Sequence, residues 1–364
     1  MKRLTAILMA GVMAAGAFLC TGCGRDEEKR KAAIEKYGSD TLKLYNWGEY
    51  TGDFIIDDFE REYGVKVIME FFNSNEMMYT KLQTGDTYDV LVPSDYMIER
   101  MMKEGALQEL DHSLLPNEKN IVPEIMDLPY DPGNKYSIPY FWGSVGLVYN
   151  KNNVDKKDLE EEGFGILLDT KYKDRIYMYD SERDAFMVAL KSLGYSMNTN
   201  SEKEIREAYE WLLKLNSTME PVYVTDEVID GMINGNKDIA VVYSGDASTV
   251  LAENDEMGFY LPKEGTNLWS DAMVIPANAE NPLLAHEFIN YVLTYDASYD
   301  NSEVAGYTSS NAEVMKDLSS KGGYFYQNEA YIPRSNYEKD EVFRDNPVLK
   351  KKLAELWIKV KASK

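Results

Sequence analysis

The chain has 364 residues, 44% of them hydrophobic, which is enough apolar material for two ordinary cores and excludes a disordered or fibrous protein. A formal net charge of −23 repels nucleic acid and attracts cations, although many exported proteins carry acidic surfaces for solubility alone. Only two histidines and two cysteines occur, and no G-x-S-x-G, P-loop or H-E-x-x-H run is found, so hydrolytic triads, nucleotide hydrolysis and zinc sites are close to excluded.

The N-terminus sets the compartment. Lys2 and Arg3 form a short basic end, Leu4 to Leu19 is an apolar run too short for a convincing membrane span, and Thr21-Gly22-Cys23 follows. Residues 1–22 therefore read as a secretory leader. Small residues just before a cysteine resemble the lipobox of bacterial lipoproteins, which implies that Cys23 is acylated and becomes the mature N-terminus; the position three before it, usually leucine, is Cys20 here, with Leu19 one further back. Both cysteines fall in this segment, so the mature domain is expected to hold no disulfide, zinc thiolate or cysteine nucleophile. Arg25 to Lys36 is charged without a strong apolar face, and residues 23–40 read as a tether with no part in the core.

Thr41 to Asn46 alternates as a strand. A helix capped by Asp53 should then bury Ile55, Phe59 and Tyr63 and end at Gly64. The pattern repeats: a strand over 65–72, a helix from about Asn75 with Met78, Tyr79 and Leu82 inward, a strand over 88–92, and a helix from near Asp95. Such alternation with short connections predicts a parallel sheet covered on both faces. Around Trp142-Gly143-Ser144 two short strands, 136–140 and 145–149, mark a crossover between domains. A second α/β set follows, with strands near 176–179 and 239–243 and a helix over 202–215. The strand 271–275 and the helix opened by Asn281-Pro282 suit a return to the first domain.

Aromatic residues stand beside acidic or hydroxyl ones at the carboxyl ends of these strands, the edge that faces the ligand crevice in open α/β sheets. Trp47 and Tyr50 follow the first strand and Ser94 and Tyr96 the third; Asp184 follows the strand near 176, Tyr243 and Asp246 the one near 239, and Trp269 and Asp271 open the last. Singly, a tryptophan here could plug a core and Asp246 could cap a helix. Together they suit an elongated cation: spaced carboxylates replace the lost hydration of ammonium groups, and aromatic faces cover the methylenes and add cation–π attraction. A sugar site would call for more Asn, Gln and Arg. Paired carboxylates of a glycosidase stay open, because 62 acidic residues offer many pairs. His112 and His286 read as surface or structural residues.

From about Leu42 to Ala362 the chain resembles the spermidine/putrescine-binding proteins of bacterial polyamine ABC transporters. The resemblance rests on Leu44-Tyr45-Asn46-Trp47 with Glu49-Tyr50, Ser74 to Tyr79, Tyr88 to Ser94, Tyr136 to Gly143 and Ile275 to Ala279. It implies that Trp47, Tyr50, Tyr243 and Trp269 box the methylenes, that Asp271 and Asp184 hold ammonium groups, that Ser94 and Tyr96 line the first-lobe wall, and that Tyr307 closes one end. Ser181 stands where spermidine-type members often carry an additional acid, and Tyr243 where they carry tryptophan. Gly245-Asp246 is similar to a step of the putrescine-type members in which the aspartate contacts an amine. Glu341 is a weak match to a distal contact.

The resemblance further implies an α/β, two-lobe periplasmic-binding-protein-like fold of type II, each lobe a mixed, mostly parallel sheet flanked by helices. Lobe 1 is expected over 41–141 plus 271–312 and lobe 2 over 142–270 plus 313–364, with hinge crossovers near Trp142, Trp269 and Ala312. The implied partners are putrescine or spermidine, the permease subunits of an ABC transporter and, through the lipid on Cys23, the cell membrane. No metal, cofactor or nucleic acid is implied, and the chain should act as a monomer without enzymatic activity. A binder of the same fold for a sugar, an amino acid or iron, and less readily a secreted glycosidase, remain open on the residues alone.

Overall fold

The computed structural model describes residues 19–48 and 50–363; residues 1–18 of the leader expected over 1–22, Glu49 and the Cys23 side chain lie outside the described residues. The chain opens with α1 (Leu19–Tyr37), β1 (Thr41–Trp47), α2 (Ile55–Tyr63), β2 (Lys66–Phe72), α3 (Asn75–Gln83), β3 (Val90–Leu91) and α4 (Asp95–Lys103). β1 pairs in parallel with β2 on one side and β3 on the other. In α2 the i, i+4 pair Ile55 and Phe59 faces the core, and Phe59 meets Phe288 edge-on with ring centroids 5.0 Å apart. Phe54, not Asp53, stands at its N-cap; the Phe54 N–H donates to Asp300 Oδ2 at 2.9 Å, so an aspartate distant in sequence does the capping.

The segment expected to be a bare tether is a helix with a packed end. Ala33 is 2% exposed within the lobe 1 core, and one turn later the Tyr37 hydroxyl donates to Glu287 Oε2 at 2.9 Å, as does Lys36 Nζ. An apolar strip made of one alanine and one tyrosine is too narrow to register as an amphipathic face. It docks because Gly64, left-handed at φ 69° where α2 ends, offers no Cβ to the Lys29 backbone; a side chain there would overlap it.

β4 (Ser137–Asn150) is the long element of the molecule and is buried throughout. It was expected as two short strands broken at Trp142-Gly143-Ser144, but those residues stay paired with Ser270, Trp269 and Leu268. Gly143 serves close approach: a Cβ there would overlap the Trp269 ring and the Ser244 hydroxyl. Lobe 2 follows with α5 (Lys156–Glu162), β5 (Ile176–Tyr179), α6 (Glu182–Ser192), α7 (Glu202–Lys214), β6 (Val222–Val224), α8 (Glu227–Ile233), β7 (Ile239–Tyr243), α9 (Ser244–Glu253) and β8 (Met257–Tyr260). β5 lies parallel to β6 and β7, while the far half of β4 runs antiparallel to β7 and β8.

β9 (Leu268–Val274) brings the chain back. It pairs antiparallel with the near half of β4 and with β3, so β4 and β9 together carry one sheet path through both lobes. α10 (Pro282–Val292), α11 (Tyr295–Ala305), β10 (Thr308–Ser309) and α12 (Ala312–Ser319) complete lobe 1, and α13 (Pro347–Lys361) lies on lobe 2. The third crossing comes later than Ala312. Val314 and Leu318 of α12 share a small core with Phe325 and Tyr331 against Tyr299 of α11, whereas Asn328 donates to Ser248 O of α9 and Ala330 already sits in the lobe 2 core. Separate cores hold the lobes: one draws on residues from Val145 to Phe259 plus Phe343 to Val360, and two others cover the faces of the lobe 1 sheet.

Candidate functional site

The residues expected to line a crevice between the lobes gather where β4 and β9 pair. Asp271, on β9, is 8% exposed and accepts from the Tyr50 hydroxyl at 2.8 Å; Ser94, paired with it across an isolated bridge, donates to the same carboxylate. Tyr50 is held in turn by its own carbonyl, which accepts from the Tyr140 hydroxyl at 2.7 Å. Ser94 is at the N-cap of α4, yet its hydroxyl does not cap the helix; Asn75 Nδ2 donates to it at 3.0 Å.

Lobe 2 supplies the other two carboxylates. Asp184, in the first turn of α6 and 3% exposed, accepts from Tyr243 at 2.6 Å and from Ser181 at 2.7 Å through one oxygen, while Oδ1 has no partner among the described residues. Asp246, in the first turn of α9, accepts from Tyr307 at 2.8 Å and from Tyr179. Tyr307 belongs to lobe 1 by chain position and so ties the lobes together. Its ring lies flat on Gly245, where a side chain would collide with it.

Rings join the three acids. Trp269 meets Tyr243 and Tyr307 edge-on at 6.2 and 5.5 Å, and Tyr307 meets Tyr50 edge-on at 5.2 Å. Trp269 Nε1 is the second buried polar atom here with no partner among the described residues. Nine of the ten expected ligand residues are thus linked directly or through Asp271 and the Asn75 contacts of Ser94 and Tyr96. Trp47 stands apart: its Nε1 donates to Val92 O at 2.9 Å and its ring packs on Phe72 at 4.5 Å. Glu341 is engaged elsewhere, on Lys191 and Ser196 in lobe 2.

Electrostatics set this region apart from the surface. Burial pushes the Asp271 carboxyl up to about 6, with Ser94 and Tyr50 pulling the other way, and burial also raises Asp184 and Asp246. Tyr50, Tyr179, Tyr243 and Tyr307 are held far above the usual phenol range, first by burial and then by the carboxylate each one touches, so all four act as neutral donors. Asp95, behind the site, is pushed up to about 8 by burial, and the charge of Asp271 adds to this. Desolvated carboxylates served only by hydroxyls attract an entering cation.

Two participants escaped sequence reading. Tyr179 ends β5 and reads as core, although its place one residue before Asp180, at the carboxyl end of a strand, was a usable signal. Arg183 was not singled out, but its guanidinium lies 3.4 Å over the Tyr96 ring of the opposite lobe.

The profile of the bacterial extracellular solute-binding proteins matches residues 55–324. The chain belongs to that family. Among relatives of this solute-binding protein, the spermidine/putrescine-binding periplasmic protein 1 of Haemophilus influenzae is 35% identical over 321 residues, covering 87% of this chain and 88% of its own. The spermidine/putrescine ABC transporter substrate-binding protein of Streptococcus pneumoniae superposes with a TM-score of 0.73 at 35% identity, covering 89% and 99% of the two chains. A Treponema pallidum lipoprotein superposes at 0.75 with 27% identity over 88% and 99%. The fold is accordingly the type II arrangement of periplasmic binding proteins, and the family is one of transport rather than catalysis, working outside the cytoplasm. Among the described residues no helix is long and apolar enough to cross a membrane.

Proposed function

We propose that this solute-binding protein captures linear polyamines, putrescine or spermidine, and delivers them to the permease of an ABC importer. The observation that carries this reading is the convergence of Asp184, Asp246 and Asp271, from three separate segments, on one aromatic groove in which tyrosine and serine hydroxyls are their hydrogen-bond partners. An amine chain threading past Trp269, Tyr243, Tyr307 and Tyr50 would exchange its hydration for carboxylate contacts and ring faces. The names of the relatives point the same way. A monomer suffices, since one chain supplies both walls of the groove.

In this reading Cys23 carries the lipid that holds the protein at the outer face of the membrane. Radiolabelled palmitate should enter the wild-type protein and not Cys23→Ala, and label in both would remove Cys23 from the anchor. For the ligand, calorimetry against putrescine, spermidine, a panel of sugars and a panel of amino acids should give one-to-one heat with the amines alone. Tight binding of a sugar or amino acid, with no amine heat, would overturn the assignment.

A further inference from the structure

We propose that Arg183 fixes the length of amine this site accepts: its guanidinium occupies the Tyr96 face of the groove as a resident cation, leaving room for a diamine and excluding a third ammonium. The inference rests on the polyamine reading and deepens it.

Arg183 stands one residue before Asp184 at the start of α6, in lobe 2, and reaches across to lobe 1. Its Cζ lies 3.4 Å from the Tyr96 ring centroid and 5.4 Å from that of Phe343, so the guanidinium is sandwiched between two aromatic faces. Glu76, Asp95 and Asp184 are near enough for its charge to favour their ionised forms. Lys350 Nζ also bonds Glu76, so this end of the groove is already supplied with positive charge by the protein itself. Asp246 and Asp271, by contrast, are met by tyrosine and serine hydroxyls and by no protein cation within ion-pair distance among the described residues. Asp184 is likewise met by hydroxyls, but it feels the Arg183 charge, which leaves Asp246 and Asp271 for two ammonium groups.

A longer amine would have to push its third ammonium onto the face Arg183 holds, against a like charge in a desolvated place. Arg183 also lines a cavity of about 20 Å³ together with Met197, Phe343, Leu349, Arg344 and Lys350. Removing the charge and part of the bulk opens this end.

The test is a pair of calorimetric titrations, with putrescine and with spermidine, on the wild type and on Arg183→Met. Arg183→Gln takes its place should the methionine variant not fold, as judged by circular dichroism. The wild type should bind the diamine more tightly, and in the variant the spermidine-to-putrescine affinity ratio should rise by about tenfold, as for the loss of one close like-charge contact. A ratio equal in wild type and variant, or a wild type that prefers spermidine, overturns the role of Arg183 while leaving polyamine binding intact. Absence of heat with both amines in both proteins overturns the length filter together with the reading beneath it.

Discussion

Asp271 is held by opposing forces: burial favours its neutral form, while the hydroxyls of Tyr50 and Ser94 favour the carboxylate, and the balance puts its pKa at about 6. An ammonium ion beside it would tip the balance to the charged form. Asp271→Asn should therefore weaken polyamine binding by about 1.5–3 kcal/mol, the range for hydrogen bonds to charged groups, read as Kd by calorimetry. The same balance predicts a pH effect on the ligand-free fold. A carboxyl raised above its unfolded value stabilises while protonated, and that contribution fades as pH rises through the folded pKa: about 6 for Asp271 and about 8 for Asp95. The free protein should lose thermal stability between pH 5 and 8, and putrescine should raise Tm more at pH 8 than at pH 5. A pH-independent shift in Tm would show that no buried carboxylate takes part. At this scale much of the site was legible, because acids and rings recur after strands where an α/β crevice lies. Trp47 stands apart from the linked residues, since its hydrogen bond to Val92 O and its contact with Phe72 depend on neighbours that local sequence does not reveal.

At the scale of elements, the alternation of strands and helices was readable because each buried face carries its own period. What was not readable depends on glycines whose role is to admit a distant group. Gly143 looked like a turn between two strands, yet it lets the Trp269 ring lie against an unbroken β4. Gly64 looked like a simple helix stop, yet it also receives α1. Gly64→Ala should cost about 1–3 kcal/mol in denaturant unfolding, from the left-handed backbone alone, and more where α1 is displaced. A change under about 0.5 kcal/mol would mean that α1 does not dock.

Across the whole molecule the lobes are drawn together by contacts lying outside the groove. The Arg344 guanidinium grips both oxygens of Glu99 at 2.7 and 3.0 Å, Asp345 N–H donates to the same carboxylate, and Lys103 reaches Asp345 at 3.2 Å. Burial would raise Glu99, but Arg344 and the Asp345 amide hold it down to about 2. Glu99 and Lys103 belong to α4 of lobe 1, and Arg344 and Asp345 to the segment that leads into α13 on lobe 2. This clasp favours the closed form, and a ligand adds to closure only through its differential contacts with the two lobes. Glu99→Gln should weaken amine affinity by about 1 kcal/mol without touching the groove, the scale of a partly exposed ion pair. Small-angle scattering on that variant should show a larger radius of gyration before ligand is added, and a radius equal to that of the wild type would remove the clasp from closure.

The central claim is that three carboxylates, distant in sequence, meet one amine chain between aromatic walls. A crystal structure with putrescine bound tests it most directly. The account predicts ammonium nitrogens within hydrogen-bond distance, about 3 Å, of Asp271 and of Asp246 or Asp184, with the methylenes against Trp269 and Tyr307. Density for the amine elsewhere on the molecule, or in the groove without a carboxylate at either end, would contradict it.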